Sequence, residues 1–157
     1  MNIEASTIIR RPPEDVFAFL AVRSNDTAWM AAVLESEWLP PTDTGTGVAV
    51  GRRGRMTLRL PGRRAEFIDE VTDYQPGRRI AHRTVSGPFP LFTSCTCEPT
   101  GDGCRTTVAG STDRLPGGVL ARAAAPFIAV AIRRGFRSDL SRLKAILETD
   151  TRSVAAS

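Results

Sequence analysis

The feature that most constrains this chain is a change of hydrophobic period part-way along it. Over residues 33–113 apolar and polar positions alternate in short runs, and most of these runs stop at a turn rich in Gly or Pro. Over residues 119–148 the spacing becomes three and four, placing Ile128, Ile132, Phe136, Leu140, Leu143 and Leu147 along one stripe. Period two is the signature of a half-buried strand, and period 3.6 that of an amphipathic helix. The alternating runs span 33–39, 48–60, 64–73, 79–85, 91–98 and 104–113. Short turns cannot carry a parallel crossover, so these six strands must form an antiparallel meander.

The front of the chain adds three elements. Ile3, Ala5, Thr7 and Ile9 alternate, predicting one more strand over 2–10. Pro12 and Pro13 then suit a helix start, Glu14 and Asp15 suit its first turn, and Val16, Phe17 and Leu20 share its inner face. Asn25 or Asp26 can cap a second short helix that carries Trp29 and Met30 inward. The expected fold is therefore α+β: a seven-stranded curved antiparallel sheet around a long C-terminal helix, with two short helices after the first strand. The sheet has one apolar face to hide, and the last helix is the one large element able to cover it. One helix cannot fill so wide a concavity, so an apolar hollow is expected between them. Pro126 should kink that helix or split off its first segment. Residues 1–149 read as one domain, near the usual domain size, and 150–157 as a flexible tail without periodicity.

Composition narrows the function classes. At 41% hydrophobic and 24% charged the chain is that of an ordinary globular protein. Its three cysteines, Cys95, Cys97 and Cys104, have no CxxC spacing, and the chain contains a single histidine. That is a poor ligand set, so no metal and no cofactor are expected. Cys97 and Cys104 flank one turn and can be opposed, as two free thiols or as a disulfide. Free thiols suit the cytoplasmic location that a missing signal pattern points to. Of the 21 basic residues, 20 are arginine, in pairs scattered among turns and strand ends. With aromatics at only 6% this reads as solvated surface and not as a nucleic-acid interface. Residues 123–132 form the most apolar stretch, too short for a membrane span, so stable membrane insertion is not expected. Monomer and homodimer are both open.

The segments IIRRPPEDVFAFLAVRSNDTAW, VTDYQPGRRIAHRTVSGPFP and LPGGVLARAAAPFIAVAIRRGFRSDLSRLKAILE resemble the helix-grip superfamily. That superfamily, also called SRPBCC or START-like, holds START lipid-transfer domains, the birch-pollen allergen type and polyketide cyclase/dehydrase-like proteins. The last branch is the most similar. The resemblance covers nearly the whole chain. It implies the same fold and a small hydrophobic ligand, while members bind or transform very different molecules.

Strand parity proposes what faces the hollow. In RRIAHRTV the arginines Arg79 and Arg83 share one face, and Ile80, His82 and Thr84 the other. Two unpaired arginines are costly to bury, so His82 should face inward. A tight hairpin at residues 75–78 would oppose Tyr74 to Arg79 and Val71 to His82. Phe67, Asp69 and Val71 then share the inner side, with Asp69 diagonal to His82. His82 oriented by Asp69 is a candidate general base for proton transfer in an aldol-type cyclisation. The competing reading makes His82 a wall residue and Asp69 a solvent-facing carboxylate. The expected ligand-binding set is Trp29, Phe67, Val71, His82, Thr84, Thr93, Cys95, Phe127, Ile128, Ile132 and Phe136. Residues 43–47 and 86–90 are loops that could gate a pocket mouth.

Three functions fit. The first is a binding module for a small apolar or aromatic molecule such as a polyketide, lipid or isoprenoid. The second is a cofactor-independent cyclase/dehydrase-type enzyme using His82 as general base. The third is docking of an acidic protein partner on the arginine-rich surface.

Overall fold

The computed structural model of the protein describes residues 1–41, 47–114 and 117–155, with side chains through Thr149. Its elements in chain order are β1 (Asn2–Ile9), α1 (Pro13–Leu20), a 3-10 turn (Arg23–Asn25), α2 (Asp26–Trp29), β2 (Val33–Trp38), β3 (Arg53–Leu60), β4 (Arg63–Gln75), β5 (Arg79–Ser86), β6 (Phe92–Thr100), β7 (Gly103–Ser111) and α3 (Gly118–Ala155). All seven strands form one sheet in the order β1-β7-β6-β5-β4-β3-β2, and every neighbouring pair is antiparallel. The meander runs from β2 to β7, and β1 closes onto β7. This is the helix-grip arrangement, a curled half-barrel gripping α3.

Two boundaries depart from the alternation. The third strand starts at Arg53, not at residue 48, and residues 43–46 of the proposed gate loop lie outside the described residues. Pro126 does not split α3, which runs as one helix of 38 residues to Ala155, six residues into the segment expected as a tail.

The register between β4 and β5 explains why one expectation held while another slipped. Gln75, and not Tyr74, faces Arg79 across the hairpin, whose turn places Gly77 at φ 75°. A bulge between Val71 and Asp73 then takes up the extra residue, so Val71 faces His82 after all. Parity beyond the bulge is that of the alternation.

The core lies between the C-terminal half of α3, α1, α2 and the β1–β7–β6 end of the sheet. Leu140, Leu143 and Leu147 are buried against Ile9, Val16, Phe17, Cys97 and Cys104. Polar ties fix this half of the helix: Lys144 Nζ donates to the Ile8 carbonyl at 2.6 Å, and Arg11 Nη1 to that of Leu147 at 2.9 Å. Cys97 and Cys104 are both free thiols, offset by two pairs, with Cys97 facing Thr106 and Cys104 facing Pro99.

Candidate functional site

The face that α3 grips can be followed row by row. A Cβ built on Gly110 would lie 3.2 Å from Phe136 Cζ, so Gly110 faces the helix. Its cross-strand partners extend the row as Val71, His82, Thr93, Gly110 and Ile3. One row toward the sealed end stand Tyr74, Ile80, Cys95, Val108 and Ala5; one row the other way stand Trp38, Gly54, Asp69 and Thr84. His82 and Thr93 therefore sit at the middle of the concave face, as parity required. Thr93 is exposed although it faces inward, and Ile128, Ile132 and Phe136 are half-buried. The helix thus leaves the sheet open above His82. An open hollow of about 580 Å³ borders this row, touching His82, Thr93, Gly110 and Ile3, with Arg133 contributed by α3. The outward-pointing Ala81, Ser94 and Ala109 border it as well, so it is a depression spanning the sheet rim and not a closed chamber.

Beside His82 lies a buried polar cluster that the sequence did not reveal. Arg23, 5% exposed, donates from Nη1 and Nη2 to the two carboxylate oxygens of Asp69, both at 2.7 Å. Its Nε donates to Ser36 Oγ at 3.1 Å, and Ser36 Oγ donates to Asp26 Oδ2 at 2.7 Å. A forked arginine–carboxylate pair is the strongest geometry a buried ion pair can adopt. The guanidinium also lies 4.9 Å from the Trp38 ring centroid, and that ring is 6.2 Å from His82, centroid to centroid. Space for the arginine comes from Gly54, where any Cβ would fall 2.2 Å from Arg23 Nη1. A glycine inside a strand marks close approach of this kind, and it was the one available signal.

Burial sets the protonation states. Desolvation raises Asp26 to about 6, resisted by the Ser36 hydrogen bond and by Arg23. Desolvation lowers His82 to about 4, with Asp69 opposing and Arg23 assisting. The imidazole is consequently neutral at pH 7, and its buried Nε2 has no hydrogen-bond partner among the described residues. Cys95 is pushed up to about 12, chiefly by burial, so its thiol is protonated and not a nucleophile.

The expected site residues divide. His82, Val71, Thr93 and Cys95 share the concave face, and Phe67 lies on it two rows from Val71, its ring edge-on to Phe89 of the 86–90 loop at 5.3 Å. Thr112 Oγ1 donates to the Pro90 carbonyl at 2.6 Å and pins that loop. Thr84 is on the face too, but its hydroxyl accepts the Leu91 N–H at 3.1 Å. Trp29 is buried within the packed core beneath α3. Asp69 does lie diagonal to His82, yet both its oxygens are held by Arg23, so it does not orient the imidazole. Phe127 is 79% exposed and is not a wall residue. The reason is helical geometry: Phe127 is turned 100° from Ile128, and the stripe through Ile128, Ile132 and Phe136 already faces the sheet.

Among the described residues no three His, Cys, Asp or Glu side chains gather as a metal site. Among the same residues no helix is long and apolar enough to cross a membrane.

Residues 1–148 match the family model described as polyketide cyclase/dehydrase and lipid transport. The chain belongs to this family. No curated protein matches it by sequence. Among solved structures it is similar to a protein from Thermus thermophilus, with TM-score 0.79 and 15% identity over 96% of this chain and 99% of that one. The Zhui aromatase/cyclase from Streptomyces sp. R1128 superimposes with TM-score 0.76 and 15% identity, covering 98% and 97%. A START superfamily protein from Mycobacterium smegmatis gives 0.74 and 12%, covering 94% and 97%. At these identities the likeness concerns the fold. For this member of the polyketide cyclase and lipid transport family, family and fold fit a hydrophobic-ligand-binding or polyketide-cyclase-type function.

Proposed function

We propose that the protein binds a small apolar or aromatic molecule bearing a hydroxyl group, held on the concave face beneath α3 with the hydroxyl at His82. The observation that carries this reading is the buried, unpartnered Nε2 of His82 beside the open hollow over the sheet. A buried polar atom left without a partner is costly, and a ligand that satisfies it recovers that cost. A hydroxyl both donates and accepts, so it matches either tautomer of a neutral imidazole. Arg23 and Asp69 neutralise each other, which leaves no net charge in the pair to demand a charged ligand.

Paired titrations of 2-naphthol and naphthalene, followed by calorimetry, test this. In the His82→Phe variant the preference for naphthol over naphthalene should fall about five- to tenfold, the worth of one hydrogen bond. An unchanged preference would sink the reading. Native mass spectrometry of the purified protein supplies the ligand's mass.

A second reading, a cofactor-independent cyclase/dehydrase-type enzyme, is favoured by the same unpartnered Nε2, which is a proton acceptor in the Nδ1-protonated tautomer. Against it, a base whose pKa lies near 4 is weak at neutral pH, and Asp69 is not available to strengthen it. Turnover abolished in His82→Ala at near-normal ligand affinity would select this reading over a carrier.

A further inference from the structure

The N-terminal half of α3 has apolar residues on two sides, and only one of them faces the sheet. Ile128, Ile132 and Phe136 form the inner stripe. On the other side Leu120, Phe127 and Val130 recur at helical spacing and are 84%, 79% and 47% exposed, and Val119 beside them is 83% exposed. A helix that is apolar on both sides is ordinarily covered on both.

Charge identifies the cover. The chain carries a net charge of +4, and between residues 118 and 138 stand four arginines and no acid, so this stretch holds the whole net charge while the rest of the chain is neutral. Arg134 and Arg137 continue the outer stripe, one and two turns beyond Val130. A second copy of the chain is a poor occupant, because apposing two such stripes about a two-fold axis brings arginines against arginines with no acid in the segment to pair them. An anionic lipid surface satisfies both features: headgroups take the guanidinium groups, and the acyl boundary takes Leu120, Phe127 and Val130.

We propose that the outer face of α3, from Val119 to Arg137, docks the protein on an anionic membrane surface, with the helix lying in the interface. The proposal does not depend on which ligand occupies the concave face.

Cosedimentation with vesicles tests it. The wild-type protein should bind vesicles of phosphatidylglycerol and phosphatidylcholine, bind pure phosphatidylcholine at least roughly tenfold more weakly, and lose affinity as salt rises from about 0.1 to 0.5 M. Phe127→Glu and Leu120→Glu should each lower affinity by roughly tenfold or more. Arg134→Ala and Arg137→Ala should each lower it roughly fivefold, the effect of one basic residue near such a surface. All four positions are solvent-facing, so unchanged circular dichroism and melting temperature show that the variants fold. No binding of the wild type to anionic vesicles, or equal binding by Phe127→Glu, overturns the proposal. So does a concentration-dependent dimer that Phe127→Glu disperses, because the stripe then belongs to a second copy.

Discussion

The two ends of the concave face belong to one sheet gripped by one helix, yet they are opposite in character. At one end Leu140, Leu143 and Leu147 press on Ile9, Cys97 and Cys104, all at 3% exposure or less. At the other end the helix stands off, Thr93 is exposed, and the wall carries His82 and the Asp69–Arg23–Ser36–Asp26 chain. The first end is filled by apolar contact, with the Lys144 and Arg11 bonds at its edge, and leaves no space for a ligand. The second is held by polar bonds that keep their geometry while the space beside them stays open. A fold of this kind can be rigid and hollow at once because its stability is concentrated where its opening is not.

The sharpest way to break this contrast is to remove one partner of the buried ion pair. Arg23→Ala leaves the Asp69 carboxylate buried and alone, which should cost about 3–5 kcal/mol in urea unfolding. Arg23→Met combined with Asp69→Leu should cost far less; equal costs would show that the pair is not the strut of the polar end. At the sealed end Leu143→Ala should lose about 3–4 kcal/mol by opening a cavity. Its affinity for 2-naphthol should stay within about twofold of wild type, and a larger change would mean that the two ends are coupled.

Smaller effects come from pH. His82 stabilises the fold fully above its unfolded value near 6.5, and this is lost as pH falls through about 4. Asp26 works in the other sense: its contribution is full below 3.8 and is lost as pH rises through about 6. Between about pH 4 and 6 the two slopes oppose and nearly cancel. Relative to wild type, His82→Gln should therefore lose stability from about pH 4 to 6, and Asp26→Asn should gain it, each on the order of 2–3 kcal/mol across the window. Urea midpoints measured across this window decide the matter, and parallel curves for the three proteins would contradict the burial of both groups. The smallest effect is expected on the outer stripe of α3, where Phe127→Glu should shift stability by no more than about 0.5 kcal/mol. A larger loss would mean that Phe127 is packed and not presented.

Much of the architecture was legible because strand alternation and helix spacing are local patterns. The facing of His82 with Val71 and Thr93 followed from parity, even though the hairpin register is one residue off, because the bulge after Val71 cancels the slip. The start of β3 was not legible, since residues 48–52 lie outside the strand although Gly51 and Arg52 still bond to the backbone of Val71. The role of Asp69 was hidden for a different reason. Parity places its carboxylate correctly but says nothing about a competitor arriving from elsewhere in the chain.

The amino-acid sequence alone determined the order of elements, the antiparallel pairing and the inward residues of β4, β5 and β6 around His82, since each follows from residues a few positions apart. Tertiary structure decided two things. It brought Arg23 to Asp69 across 46 residues through the space left by Gly54, removing the carboxylate from His82. It also chose which side of a helical segment apolar on two sides meets the sheet, leaving Leu120, Phe127 and Val130 outside. Both depend on which distant surfaces meet, and a local pattern holds no record of that.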